Sequence, residues 1–136
     1  MTNYQQQAKD FLVSCNATME ITKIGVEKNK LWNDKQFRNT YRATITTPLG
    51  TMWVKFWDSY DNRAKGITPT EYDILACLQK YDVGDFDDFV SEFGYDIEEP
   101  ADRRRVLQIY KAVVNEYKSV CRCFTEEQID AMCEIQ

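Results

Sequence analysis

Between Tyr81 and Asp102 stand nine carboxylates with no lysine or arginine among them: Asp82, Asp85, Asp87, Asp88, Glu92, Asp96, Glu98, Glu99 and Asp102. Carboxylates at this density support three kinds of chemistry. They serve as helix caps and a solvated face, because a helix start favours negative charge. They form an acidic surface that occupies a basic nucleic-acid groove on another protein, as phosphates do. Or they hold a divalent metal, but Asp82-Val83-Gly84-Asp85-Phe86-Asp87 has the wrong spacing for a calcium loop and lacks the bidentate glutamate at its twelfth position. Arg103-Arg104-Arg105 follows at once and is read as offsetting the mutual repulsion.

Catalytic chemistry finds little to use. The chain has no histidine, which removes the commonest neutral-pH general base and the commonest metal ligand. Neither GxGxxG nor GxxxxGK[ST] occurs among its five glycines. The expectation is a protein that is not an enzyme, with no cofactor and no metal.

A second group carries binding chemistry. Arg42, Trp53, Lys55 and Trp57 fall on one face of an expected hairpin, and aromatics interleaved with cations stack bases and hold phosphates. The preferred reading is that the N-terminal helix covers this face. If the face is open it is a binding hot spot, since Trp and Arg dominate such sites. Leu31, Trp32 and Phe37, inside a polar loop, form a third candidate contact or a loop folded back on the sheet edge.

The elements that must position these residues follow from periodicity. Tyr4, Ala8, Phe11, Leu12 and Cys15 recur at helical spacing over 3–16. Residues 18–26 read as a strand with a break of phase near Lys23, and 27–37 as an exposed loop. Tyr41, Ala43 and Ile45 alternate with Arg42, Thr44 and Thr46. After Thr47-Pro48-Leu49-Gly50, Met52, Val54 and Phe56 alternate with Trp53, Lys55 and Trp57, which predicts a hairpin. Of two registers, the one pairing Ile45 with Met52, Ala43 with Val54 and Tyr41 with Phe56 through a four-residue loop keeps one face purely apolar and is chosen.

Helices take over after a loop at 58–67. Thr68-Pro69-Thr70-Glu71 predicts a capping box with proline at the first helical position, followed by Ile74, Leu75, Leu78 and Tyr81. Gly84-Asp85 opens a short helix with Phe86, Phe89, Val90 and Phe93 inward and Gly94 as C-cap. Pro100 starts a long helix to about 123, and Thr125-Glu126-Glu127-Gln128 caps a terminal one. The prediction is a single α+β domain over 1–136, a three-stranded antiparallel sheet packed with about five helices.

Composition agrees. At 136 residues, 43% hydrophobic and 13% aromatic, the chain supports one core. No apolar run approaches the length of a membrane span, and Met1–Gln7 lacks signal-peptide features, so a cytoplasmic location is expected. Five cysteines without a CxxC pattern are read mostly as small core groups rather than disulfides. Charge is uneven: residues 1–66 hold ten Lys/Arg and six Asp/Glu, and 67–136 hold seven and sixteen.

The middle of the chain carries a resemblance. Phe56-Trp57-Asp58-Ser59, Gly66 through Leu78 (GITPTEYDILACL), Lys80-Tyr81-Asp82-Val83-Gly84-Asp85-Phe86 and Ser91-Glu92-Phe93-Gly94-Tyr95-Asp96 resemble a group of small proteins of bacteriophages and mobile elements, over about residues 38–120. That family brings no catalytic residues. The resemblance implies a phage-derived inhibitor that binds a host protein, with anti-CRISPR proteins and their CRISPR effector nuclease targets as the best-known case. The residues expected to meet the partner are Asp82, Asp85, Asp87, Asp88, Glu92, Asp96, Glu98 and Glu99. The alternative expectation is a nucleic-acid-binding accessory protein using Arg42, Trp53, Lys55 and Trp57.

Overall fold

The computed structural model describes residues 3–32, 34–78 and 84–135. Tyr81 and Asp82, assigned above to a helix stripe and to the acidic run, lie outside them. The element order is α1 (Asn3–Ser14), β1 (Thr18–Glu27), a 3-10 turn at Lys30–Trp32, β2 (Arg38–Thr47), β3 (Gly50–Trp57), α2 (Tyr60–Lys65), α3 (Glu71–Leu78), α4 (Phe86–Phe93), α5 (Pro100–Cys123) and α6 (Glu126–Cys133). The three strands form one antiparallel sheet in the order β1-β2-β3, so the fold is α+β as the sequence predicts.

Register follows the buried face. Ile45 pairs with Met52, Ala43 with Val54 and Tyr41 with Phe56. Pairing extends one step further than the expected four-residue loop, to Thr47 and Gly50, leaving Pro48-Leu49 as the turn. The break of phase near Lys23 is a bulge between Lys23 and Gly25, which lets β1 continue to Glu27 with its side chains in step with β2.

The inner face of the sheet (Ala43, Ile45, Met52) is buried with Ala8, Phe11 and Leu12 of α1, Ile74, Leu75 and Leu78 of α3, and Val120, Cys123, Phe124 and Met132 from the C-terminal helices. Each large side chain so enclosed contributes about 1.5–3 kcal/mol. The turn is tied to this core by the Thr47 hydroxyl, which donates to the Cys123 carbonyl at 2.6 Å and accepts from the Leu49 amide at 3.1 Å. A second cluster forms where α4 packs on α5, around Phe89, Val106 and Ile109, with Tyr110 and Tyr95 beside Phe89.

Three expectations are corrected. The segment 58–67 is not all loop: Ser59 accepts from the Asn62 amide and Gly66 closes the turn at φ 69°, giving α2. The third helix starts at Glu71, not at Pro69. Thr70 and Asp73 make the reciprocal cap instead, the Thr70 amide donating to Asp73 Oδ2 at 2.7 Å. And the cysteines are mostly exposed: Cys77, Cys121 and Cys133 face solvent, while Cys15 and Cys123 are buried. Burial pushes both of these last thiols up from the ordinary value.

Candidate functional site

The acids of the run from Asp85 to Glu99 are exposed, but helix ends account for much of them. Asp85 caps α4 by accepting from the Asp88 amide at 2.9 Å, and Asp88 reaches back to the Asp85 amide. Gly84 precedes them at φ 71°, where a Cβ would lie 2.6 Å from Asp88 Oδ2, so a larger residue would be strained and would push the Asp88 carboxylate off its cap. Asp87 sits in the same first turn. Asp96 accepts from the Glu98 amide at 3.0 Å, and Asp102 lies in the first turn of α5. Glu92, Glu98 and Glu99 are exposed, Glu99 at the N-cap position without a side-chain cap bond.

The arginines that follow enter this corner through aromatics. Arg103 lies over the Phe86 ring at 5.3 Å, and Arg105 lies near enough to Tyr95 to oppose the upward push that burial gives its phenol. No ion pair joins Arg103, Arg104 or Arg105 to an acid among the described residues. The corner is thus acidic but threaded with positive charge.

The outer face of the sheet is different. The N-terminal helix was expected to cover it. Instead α1 buries Ala8, Phe11 and Leu12 against the inner face, because that is where its apolar stripe finds Ala43 and Ile45. The outer face is left open: Glu20, Thr22, Arg42, Thr46, Thr51, Trp53 and Lys55 are all exposed. Trp53 is 57% exposed, an unusual state for so large an apolar ring.

Strand geometry brings the four predicted residues together. Arg42 on β2 pairs directly with Lys55 on β3, and Trp53 and Trp57 flank Lys55 at the period of two that places them on one face. The Arg42 guanidinium lies 4.4 Å from the Trp53 ring centroid, and Lys55 Nζ 4.5 Å from that of Trp57. Lys55 also reaches across the sheet to Glu27 Oε2 at 3.0 Å. Towards the far end of the strand Trp57 pairs with fully buried Thr40, so this second ring is half-covered.

The surroundings are positive. Residues 18–66 hold nine Lys/Arg and five Asp/Glu. Of the five acids, Glu27 is paired to Lys55, Asp34 to Arg38, and Asp58 is 1% exposed. The hydrogen bond from Arg38 holds the Asp34 carboxyl below its ordinary range. Asp58 Oδ1 accepts from the Ser59 amide and from Asn62, fixing the start of α2 where β3 ends.

Sequence reading missed the third aromatic–cation couple, Lys28 over Phe37 at 5.0 Å. Both residues lie in the stretch read as a loop, and only the fold of 27–37 against the sheet end brings them together. Of the apolar loop residues, Leu31 packs into the second cluster, Trp32 stands 6.5 Å from Tyr95 ring to ring, and Phe37 stays exposed. Among the described residues no group of His, Cys, Asp and Glu is arranged to hold a metal ion, and no helix is long and apolar enough to cross a membrane. Comparison with protein-family models, with curated proteins and with solved structures finds no match for this chain.

Proposed function

We propose that this chain is a binding protein, not an enzyme, and that it takes single-stranded nucleic acid on the open outer face of its sheet. The observation that carries the reading is the pair of cation–aromatic couples, Arg42–Trp53 and Lys55–Trp57, side by side on the outer face, with Trp53 exposed and Trp57 half-covered. Trp53 and Trp57 are four strand positions apart, about 13 Å at ~3.3 Å per residue, which suits two bases that are not neighbours. Every base offers a π-face, so such a site reads shape and charge more than sequence. A duplex keeps its bases stacked inside and offers the rings nothing to hold.

Fluorescence anisotropy with a labelled twelve-nucleotide oligo-dT, at low salt and then at increasing salt, tests this. Binding is expected for the single strand and much weaker for the duplex. If Arg42, Lys55, Lys28 and Lys30 each neutralise a phosphate, log K falls with log salt at a slope of about −3. No binding at low salt refutes the proposal.

The exposed carboxylates and the resemblance to phage proteins support a second reading: an inhibitor that docks Asp87, Glu92, Asp96, Glu98 and Glu99 into the basic groove of a host defence nuclease, an anti-CRISPR activity among the cases. Reversing the charge of Asp87, Asp96, Glu98 and Glu99 together abolishes inhibition if this reading holds and leaves oligonucleotide binding intact if the first does. The first is preferred because Asp85, Asp88 and Asp96 already serve backbone amides.

A further inference from the structure

β3 is an edge of the sheet. The direction of its backbone groups follows from one hydrogen bond: the Asp58 amide donates to the Asn39 carbonyl at 2.9 Å, just beyond the Thr40–Trp57 pair. Bonded and non-bonded pairs alternate in an antiparallel ladder. Met52, Val54 and Phe56 therefore bond to β2, and Trp53, Lys55 and Trp57 turn their N–H and C=O groups away from the sheet. Among the described residues no strand pairs with this row, and a row of this kind is a template for another strand.

The row does not face bulk solvent alone. A groove of about 700 Å³ runs along it, with Ala112, Asn115 and Ser119 of α5 as the opposite wall and Leu31 at one end. These α5 residues are spaced at three and four and so form one stripe. All three are small or polar, which keeps the helix from filling the space; Glu116 lines the same wall, so the α5 side also carries a carboxylate and the acidic groups of a guest are placed at the Leu31 end. At the Leu31 end a second hollow opens, sharing Asn29, Leu31 and Trp57 with the first and lined by Lys28, Lys30 and Glu27, the last already paired to Lys55. No carboxylate pairs with either lysine among the described residues.

We infer that this groove docks an extended, acidic peptide segment of a partner protein as a fourth strand on β3. Three residues of β3 supply the main-chain hydrogen bonds, which suits strand addition. Alternate side chains of the guest lie beside Trp53 and Trp57 on one side and against Ala112, Asn115 and Ser119 on the other. Carboxylates at the end of the guest that reaches Leu31 meet Lys28 and Lys30. The span from Thr51 to Trp57 is about 20 Å, enough for a guest strand of six or seven residues. This site is the strand edge; it adjoins the flat face proposed for nucleic acid and shares Trp53, Trp57, Lys28 and Lys30 with it, so the two occupants compete.

The test pans a display library of random twelve-residue peptides on the full chain, then measures the winners by titration and by amide hydrogen exchange. Enriched sequences are expected to alternate in polarity and to carry Asp or Glu at one end. They should slow exchange at the amides of Trp53, Lys55 and Trp57 and lose at least tenfold in affinity on Ala112→Trp and, independently, on Asn115→Trp, both exposed positions outside the core. No enrichment, binding to both variants as tight as to the parent, or unprotected amides overturns the inference. So does protection that grows with protein concentration in the absence of peptide, which makes a second copy the occupant. Equal protection by oligo-dT also overturns it and assigns the groove to the nucleic acid.

Discussion

Replacing Trp53 with alanine separates binding from folding. The ring is 57% exposed, so its removal opens no cavity. What the fold loses is the contact with Arg42 and the cross-strand pairing with Thr44. An exposed cation–π contact contributes about 0.5–1 kcal/mol, and a cross-strand pair about 0.2–1 kcal/mol. The total stays below about 2 kcal/mol, or about 7 °C in Tm at roughly 3–4 °C per kcal/mol for a chain of this length. Binding should suffer more specifically. A base stacked on an aromatic ring is held by about 1–3 kcal/mol, so the single-strand Kd should rise roughly 5- to 150-fold. Anisotropy with oligo-dT reads the second effect and thermal unfolding the first. Phe93→Ala, which removes an equally exposed ring from α4, is the control and should leave Kd within twofold. The reasoning is refuted if Trp53→Ala stays folded and binds within twofold of the parent, or if Phe93→Ala weakens binding as much.

Other expectations test the scaffold. Thr47→Val keeps the shape of the side chain but strands the buried Cys123 carbonyl and frees the Leu49 amide; a loss of about 1–3 kcal/mol should appear as a lower urea midpoint. Asp85→Ala removes the α4 cap and should cost about 1 kcal/mol, read by the same titration. Native labelling with a thiol reagent should modify Cys77, Cys121 and Cys133 and spare Cys15 and Cys123 until denaturant is added, because the last two are buried and their thiolates disfavoured. The Asp34 carboxyl is held low by Arg38, so its contribution to stability is present above the ordinary value of 3.8 and disappears as pH falls through the lower folded value. Asp34→Asn should therefore lower the urea midpoint at pH 7, and the gap to the parent should narrow as pH falls below 3.8.

Much of the fold was legible because alternation and capping are local signals. The hairpin register was set by Ile45 and Ala43, which reach the core only when opposite Met52 and Val54. The bulge showed as a slip of phase before it was seen as geometry. The capping box expected at Thr68–Glu71, with proline inside, does not form. Pro69 is instead buried ahead of the helix, and Thr70 with Asp73 takes the cap. The helix α2 was overlooked for lack of an apolar stripe, although Ser59 and Gly66 mark both its ends. The site was harder. Period two places Arg42, Trp53, Lys55 and Trp57 on one face, but which face α1 covers depends on packing between distant segments, and no local pattern contains that. The acidic run stood out in sequence for its density, yet part of that density is the demand of two successive helix starts.

The claim that the outer sheet face holds the strand is tested most directly by photocrosslinking to a single-stranded oligonucleotide carrying 5-iodouridine, which forms adducts with aromatic rings stacked against the base. Adducts mapped by mass spectrometry should fall on Trp53 and Trp57 and vanish when salt is raised. Adducts confined to Phe86, Phe93 or Tyr95 in the acidic corner, or none at a salt concentration where the oligonucleotide is bound, would contradict it.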